Sequence, residues 1–216
     1  MSNKSFLRTA AALFLALAVA APSLAQSDAA PRVAIRVYDS ATAGDAHRAA
    51  AIDTARAIVA ETGVRATWLD CTGDSVRPRC RDARAERELI IRIAPTFVPG
   101  TVVPRGSIQS RADGNASGLI LGFAVVEPST GAGALATVFM DRVHTIASRT
   151  SVPSDSLLGR AIAHEVGHLL LGTNAHARSG LMREIWTDAE LLQDRREDWL
   201  FAPSERAALE PYSAPR

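Results

Sequence analysis

Lysine is almost missing from this chain. Lys4 is the only one, and every later basic residue is arginine. We read this as compositional bias of the source genome, because the arginines are not gathered into a patch. An excess of either charge is also missing: the 216 residues carry 24 basic and 23 acidic side chains, a formal net charge of +1. A balance so near neutral gives no electrostatic case for nucleic acid or an anionic membrane surface as partner. Beyond the first two dozen residues there is no long apolar run, so nothing downstream is expected to cross a bilayer. No internal repeat occurs, and no low-complexity block beyond the leader. Cysteine is scarce, limited to Cys71 and Cys80.

What is present starts at the N-terminus. Lys4 and Arg8 form a basic start, an apolar run rich in Ala and Leu follows, and Ser23 and Ala25 are small residues at the −3 and −1 positions of a cut before Gln26. That order reads as a secretory signal peptide over residues 1–25. An uncleaved membrane anchor is the competing reading, although the run is short for a span. Without the leader the balance becomes 22 basic against 23 acidic residues, a net charge of −1. Residues 26–216 suit one well-buried domain and are too few for two. The expected product is exported, periplasmic or secreted, with no stable membrane insertion after cleavage. In such a protein Cys71 and Cys80, flanking a polar loop with Pro78, read as a local disulfide.

Periodicity predicts a strand at residues 33–38, an amphipathic helix at 44–62 ending before Gly63, and strands at 64–69 and 88–93. Residues 96–115 are punctuated by Pro and Gly and read as loop. Residues 117–126 form an apolar run with two glycines and read as a strand near the active site. Residues 134–147 are open between strand and helix. Ser154 or Asp155 is placed to cap a helix over 156–171, closed by Gly172. Pro203 or Ser204 opens a short C-terminal helix. The layout is mixed α/β, of the α+β type.

The chemistry concentrates on that late helix. His164 and His168 are four apart, one turn along the same face, so both imidazoles can point at one metal ion. Glu165, beside the first histidine, can reach a metal-bound water instead of the metal. Zinc lowers the pKa of its water, a carboxylate takes the proton, and the nucleophile attacks a polarised peptide carbonyl. Of five histidines in the chain, His164, His168 and His176 fall inside a 13-residue stretch. The positions around them are apolar or small, as a buried active-site helix requires.

His164-Glu165-Val166-Gly167-His168 through Gly172 to His176 resembles the extended metzincin motif HExxHxxGxxH. Ser179-Gly180-Leu181-Met182 looks like an abbreviated Met-turn. The resemblance implies a zincin-like fold and one Zn2+ per chain, held by His164, His168 and His176. It makes Glu165 the general base, Gly172 the sharp turn after the helix, and Met182 the apolar floor. The spacing departs from the family's: Gly172 falls one place late and His176 two, which leaves Asn174, a poor zinc ligand, where the third histidine is usual. If His176 does not ligate, a gluzincin-like arrangement takes its third ligand from Glu184, Asp188 or Glu190.

His144 and Tyr212 are the remaining groups available to contact substrate or an oxyanion, with nothing local in support of either. Pro78-Arg79-Cys80 resembles the cysteine switch of some matrix metalloproteinases, a rival use of Cys80. By fold analogy, residues 118–126 supply an edge strand on which an extended peptide pairs. The resulting expectation is an exported zinc-dependent endopeptidase acting on peptide or protein substrates. Two readings compete with it: a non-catalytic zinc- or peptide-binding envelope protein that keeps the fold, and a structural envelope protein with an accidental motif.

Overall fold

The alternation of Leu89, Ile91 and Ile93 with Glu88, Ile90 and Arg92 fixes the orientation of one strand, and that strand organises the rest. In the computed structural model, which describes residues 32–73, 80, 87–96 and 119–213, it is β3 (Arg87–Ala94). Its neighbour on one side is β1 (Val33–Asp39), which in turn pairs with β2 (Ala66–Asp70), all in parallel. On the other side β3 pairs in parallel with β5 (Gly133–Phe139), and β4 (Gly122–Val126) closes the order as an antiparallel edge. The sheet among the described residues therefore runs β2-β1-β3-β5-β4.

One face of this sheet carries Ile35, Leu89, Ile91, Ile93 and Val138, all fully buried. It packs against α1 (Asp45–Ala60) and α3 (Ser154–Leu171), which also pack on each other. Burying each such aliphatic side chain stabilises the fold by about 1.5–3 kcal/mol. Helix α3 takes the deepest place, with every residue from Leu157 to Leu170 buried. A helix surrounded by core on most sides is rigidly positioned, and α3 carries the HExxH sequence. β4 lies alongside it and is joined to β5 by the turn in which Gly131 N–H donates to Glu127 and Glu127 N–H to Ala132.

The mixed α/β architecture is the one expected, with several boundaries displaced. The apolar run at 117–126 is strand only from Gly122 onward; Leu121 still accepts from the Phe139 amide at 2.7 Å, and Leu119 to Val126 all line a cleft. Residues 117–118 lie outside the described residues. Residues 134–147 prove to be both structures in turn: β5, then α2 (Met140–Thr150), with Phe139 at the junction. Helix α3 starts at Ser154, two residues before the predicted start, with Pro153 at its N-cap and no capping side chain. Asp155 accepts from the adjacent Ser156 amide. A short helix α4 (Asp188–Gln193) was not expected, whereas α5 (Pro203–Ala208) opens at Pro203 as expected.

Cys71 and Cys80 are joined by a disulfide with their Cα atoms 5.8 Å apart, so Cys80 has no free thiol to act as a switch. Pro78 and Arg79, like residues 1–31, lie outside the described residues. Among the described residues no helix is long and apolar enough to cross a membrane.

Candidate metal centre

His164 and His168 leave α3 one turn apart with ring centroids 4.7 Å apart and planes at 79°. Each ring is oriented from behind by a backbone carbonyl. Nδ1 of His164 lies 2.9 Å from the oxygen of Leu181, and Nδ1 of His168 lies 2.8 Å from that of Thr173. A carbonyl can only accept, so each neutral ring carries its proton on Nδ1 and presents the Nε2 lone pair. Those two Nε2 atoms face each other at 3.0 Å.

The acceptor for His168 comes from the helix end itself. Gly172 takes the left-handed conformation at φ +65°, which an L side chain rarely adopts, and its amide and that of Thr173 both donate to the His168 carbonyl. The chain thereby turns back sharply and aims the Thr173 carbonyl at the His168 ring.

His176 arrives from the loop beyond. Its ring stacks on His164 at 5.4 Å and 26°, and meets His168 edge-on at 4.8 Å. The loop is held by the Ala177 amide donating to Met182 and by the Asn174 side chain donating to Val126 of β4 at 3.3 Å. Asn174, which occupies the usual place of a third histidine, is thus a tether between loop and edge strand. The two additional residues carry His176 back to the other rings. One nitrogen from each of His164, His168 and His176 lies within 4.8 Å of the others.

Two of the three alternative carboxylates are otherwise engaged. Asp188 faces Arg149 at 3.7 Å, and Glu190 pairs with Arg183 while closing the capping box with Thr187 at the start of α4. Glu184 lines the cleft, exposed, and belongs to no such nitrogen–oxygen cluster among the described residues.

The donor set suits Zn2+. Two unprotonated ring nitrogens at 3.0 Å repel each other, and a cation between them removes the repulsion. Two nitrogens on one tetrahedral zinc with Zn–N of about 2.0–2.1 Å stand roughly 3.3 Å apart, close to the spacing found. Burial, reinforced by the neighbouring His168, pushes His164 down to about 3, against the opposing pull of its bond to Leu181. Burial likewise takes His168 down to about 4 and lowers His176, where the Glu184 charge works the other way. All three rings are therefore neutral, as metal ligation requires.

Glu165 is 4 % exposed, and burial alone pushes its carboxyl up to about 8. Its Oε2 has no hydrogen-bond partner among the described residues, although the side chain lines the same cleft as the three histidines. Met182 is packed beneath the histidine helix: a Cβ atom added to Gly167 would stand 2.5 Å from the Met182 sulfur. The cleft itself holds about 470 Å³, bounded by β4, by Leu119 and Leu121 before it, and by Ile146, Ala161 and Trp186. His144 is exposed on α2, and Tyr212 accepts from Arg87 at 2.8 Å away from the cleft, so neither joins the site.

Three contributors were not foreseen. In the sequence Asn174 reads only as a poor ligand. Gly122 stands against Glu165, and its one signal is an isolated glycine within a strand, a mark of close approach. Trp186 forms a cleft wall from a loop whose local sequence gives no sign of it.

The fold resembles that of archaemetzincin from Methanopyrus kandleri, with a TM-score of 0.50, 14 % identity, and coverage of 84 % of this chain and 95 % of that one. A zinc-dependent peptidase from Methanocorpusculum labreanum aligns at 16 % identity and a TM-score of 0.47, over 81 % of this chain and 99 % of that one. No protein-family model matches the chain, and no curated protein sequence matches it. The class defined by fold and centre is thus a zincin-like α/β protein. Three histidine rings converge in its cleft, with eight positions from His168 to His176 where the motif that the sequence resembles has six.

Proposed function

We propose that this chain is an exported zinc-dependent endopeptidase, with His164, His168 and His176 as the ligands of one Zn2+ and Glu165 as general base. The observation that carries the reading is the convergence of three neutral ring nitrogens beside a buried carboxyl with an unpartnered oxygen, all opening on one cleft. A purely structural metal site has no use for such a carboxyl.

Zinc, when bound, polarises a substrate carbonyl and makes a water acidic. The rest falls to the chain. Glu165 Oε2 accepts the proton of the attacking water and then delivers it to the departing amine. A cation close by favours the ionised carboxyl, which makes the oxygen basic when the reaction needs it. Leu119, Leu121 and Trp186 keep the cleft walls apolar and limit water. β4 has its second edge free of strand partners among the described residues, so an extended peptide can add to it by main-chain hydrogen bonds.

Export follows from residues 1–25, and the Cys71–Cys80 bond fits an oxidising compartment. We place residues 26–216 in one catalytic domain, periplasmic or secreted. The test is incubation of the zinc-loaded mature protein with a mixed peptide library, read by mass spectrometry. Cleavage by wild type and loss of about 10³-fold or more in Glu165→Gln is expected, since proton transfer from the water and to the departing amine are lost together. No cleavage of any peptide by zinc-loaded wild type would refute the reading. N-terminal sequencing of the exported product is expected to begin at Gln26.

A further inference from the structure

The two helix histidines are oriented by carbonyls of very different security. Thr173, which serves His168, is fixed by the helix end and by Gly172. Leu181, which serves His164, lies in an irregular turn with no ladder or helix to set the direction of its carbonyl. Its amide is tied to Leu200 at 2.9 Å, and its carbonyl receives a second donor: the indole Nε1 of Trp186 at 3.2 Å. A carbonyl oxygen has two lone pairs, and here both are used, one by the ligand and one by the tryptophan.

Trp186 is itself held. Its ring meets His164 edge-on at 5.8 Å on one side and Trp199 edge-on at 5.3 Å on the other. Trp199 is 5 % exposed, its own Nε1 donates to Asp194 at 2.9 Å, and the Arg160 guanidinium lies 4.1 Å over its ring. The indole N–H is thus presented at a fixed place by a packed stack rooted in α3 and the C-terminal segment.

We propose that Trp186 is a positioning residue for the metal ligand His164, acting through the Leu181 carbonyl, and so sets the zinc affinity of the centre. The proposal rests on the metal reading of the site. Groups that orient a ligating histidine from behind are worth about 10–100-fold in metal affinity. One residue therefore serves two ends: its ring walls the cleft and its N–H holds the ligand's outer partner.

The experiment measures zinc affinity of the mature protein by competition with a chromophoric chelator, in wild type, Trp186→Phe and Trp186→3-benzothienylalanine. The last keeps the bicyclic shape and lacks the N–H, so it decides the matter if the phenylalanine variant folds poorly. Both replacements are expected to weaken zinc binding about 10-fold or more. In the same samples the imidazole Nδ1–H proton of His164, followed by NMR, is expected to shift and exchange faster, with that of His168 unmoved. Unchanged affinity in the benzothienyl variant, or equal movement of both histidine protons, overturns the proposal, since general loosening affects both ligands alike. Absence of zinc binding in wild type fails the metal reading itself, and is distinguished by that arm alone.

Discussion

Oε1 of Glu165 occupies space that only a glycine at position 122 leaves open. A Cβ atom on Gly122 would stand 2.7 Å from that oxygen and 2.6 Å from the backbone oxygen of Thr137. The edge strand and the carboxyl are therefore matched in position: the strand approaches α3 closely because it has no side chain at that point. The carboxyl rotates freely enough to yield, whereas the β5 backbone does not.

Gly122→Ala is accordingly expected to displace the Glu165 carboxyl. Peptidase activity falls by about 10–100-fold, because small misplacements of reacting groups have large effects, and stability by about 1–3 kcal/mol from overpacking. Zinc content stays at the wild-type level, since none of the three histidines touches this contact. Activity and zinc content measured on one preparation check it; an alanine variant with full activity contradicts the placement of Glu165.

Gly167 tests the floor of the centre. Alanine is favoured over glycine inside a helix by about 1 kcal/mol. Against that, the added Cβ would stand 2.5 Å from the Met182 sulfur and 2.7 Å from a Phe201 ring carbon, both side chains being almost fully buried. Overpacking costs about 1–3 kcal/mol, so the packing effect wins. Gly167→Ala is expected to lower the melting temperature and weaken zinc binding, because His164 and His168 flank the site of strain. Met182→Ala added to Gly167→Ala is expected to have a smaller effect than the two single changes summed. A strictly additive double mutant would show that the two residues do not meet.

Far more of the fold than of the site was legible in the sequence. The three core-facing residues of β3 alternate cleanly, and so do those of β1, because a sheet face buried under helices demands period two. Helix α4 was missed although Thr187 and Glu190 form a capping box; with only Leu191 buried, it has no periodicity to read. His164, Glu165 and His168 are legible because one helix turn joins them. His176 competed with three carboxylates in the sequence. What separates them in space is long-range: the tie of Asn174 to Val126 holds the loop that brings His176 to the other two rings, and Asp188 and Glu190 pair with arginines. Trp186 was invisible for the same reason, since its partners are Leu181 and Trp199 in a fold that local spacing does not describe.

The metal-free protein should show a pH optimum of stability. Folded, Glu165 is held at about 8 against its ordinary 4.5, so between these values the unfolded chain has lost a proton that the folded chain keeps. Stability from this group falls as pH rises. His164 and His168 are held at about 3 and about 4 against 6.5, so below 6.5 the unfolded chain gains protons that the folded chain refuses. The histidines, with His176 lowered in the same direction, outweigh one carboxyl below 6.5, and the carboxyl dominates as pH rises beyond it, which puts the optimum near 6.5. Denaturant titration of chelated samples checks this. The stability advantage of Glu165→Gln over wild type is expected to grow between pH 5 and 8 by up to about 1.4 kcal/mol per unit. A difference independent of pH contradicts the burial of that carboxyl.

On the proposed reading three histidines hold one zinc, with Glu165 as a partner and not a ligand. Elemental analysis of the purified mature protein, alongside His176→Ala and Glu165→Gln, tests it most directly. One zinc per chain is expected in wild type and in Glu165→Gln, with loss or marked weakening in His176→Ala. Zinc retained in full by His176→Ala, or no zinc in wild type after reconstitution with the metal, would contradict it.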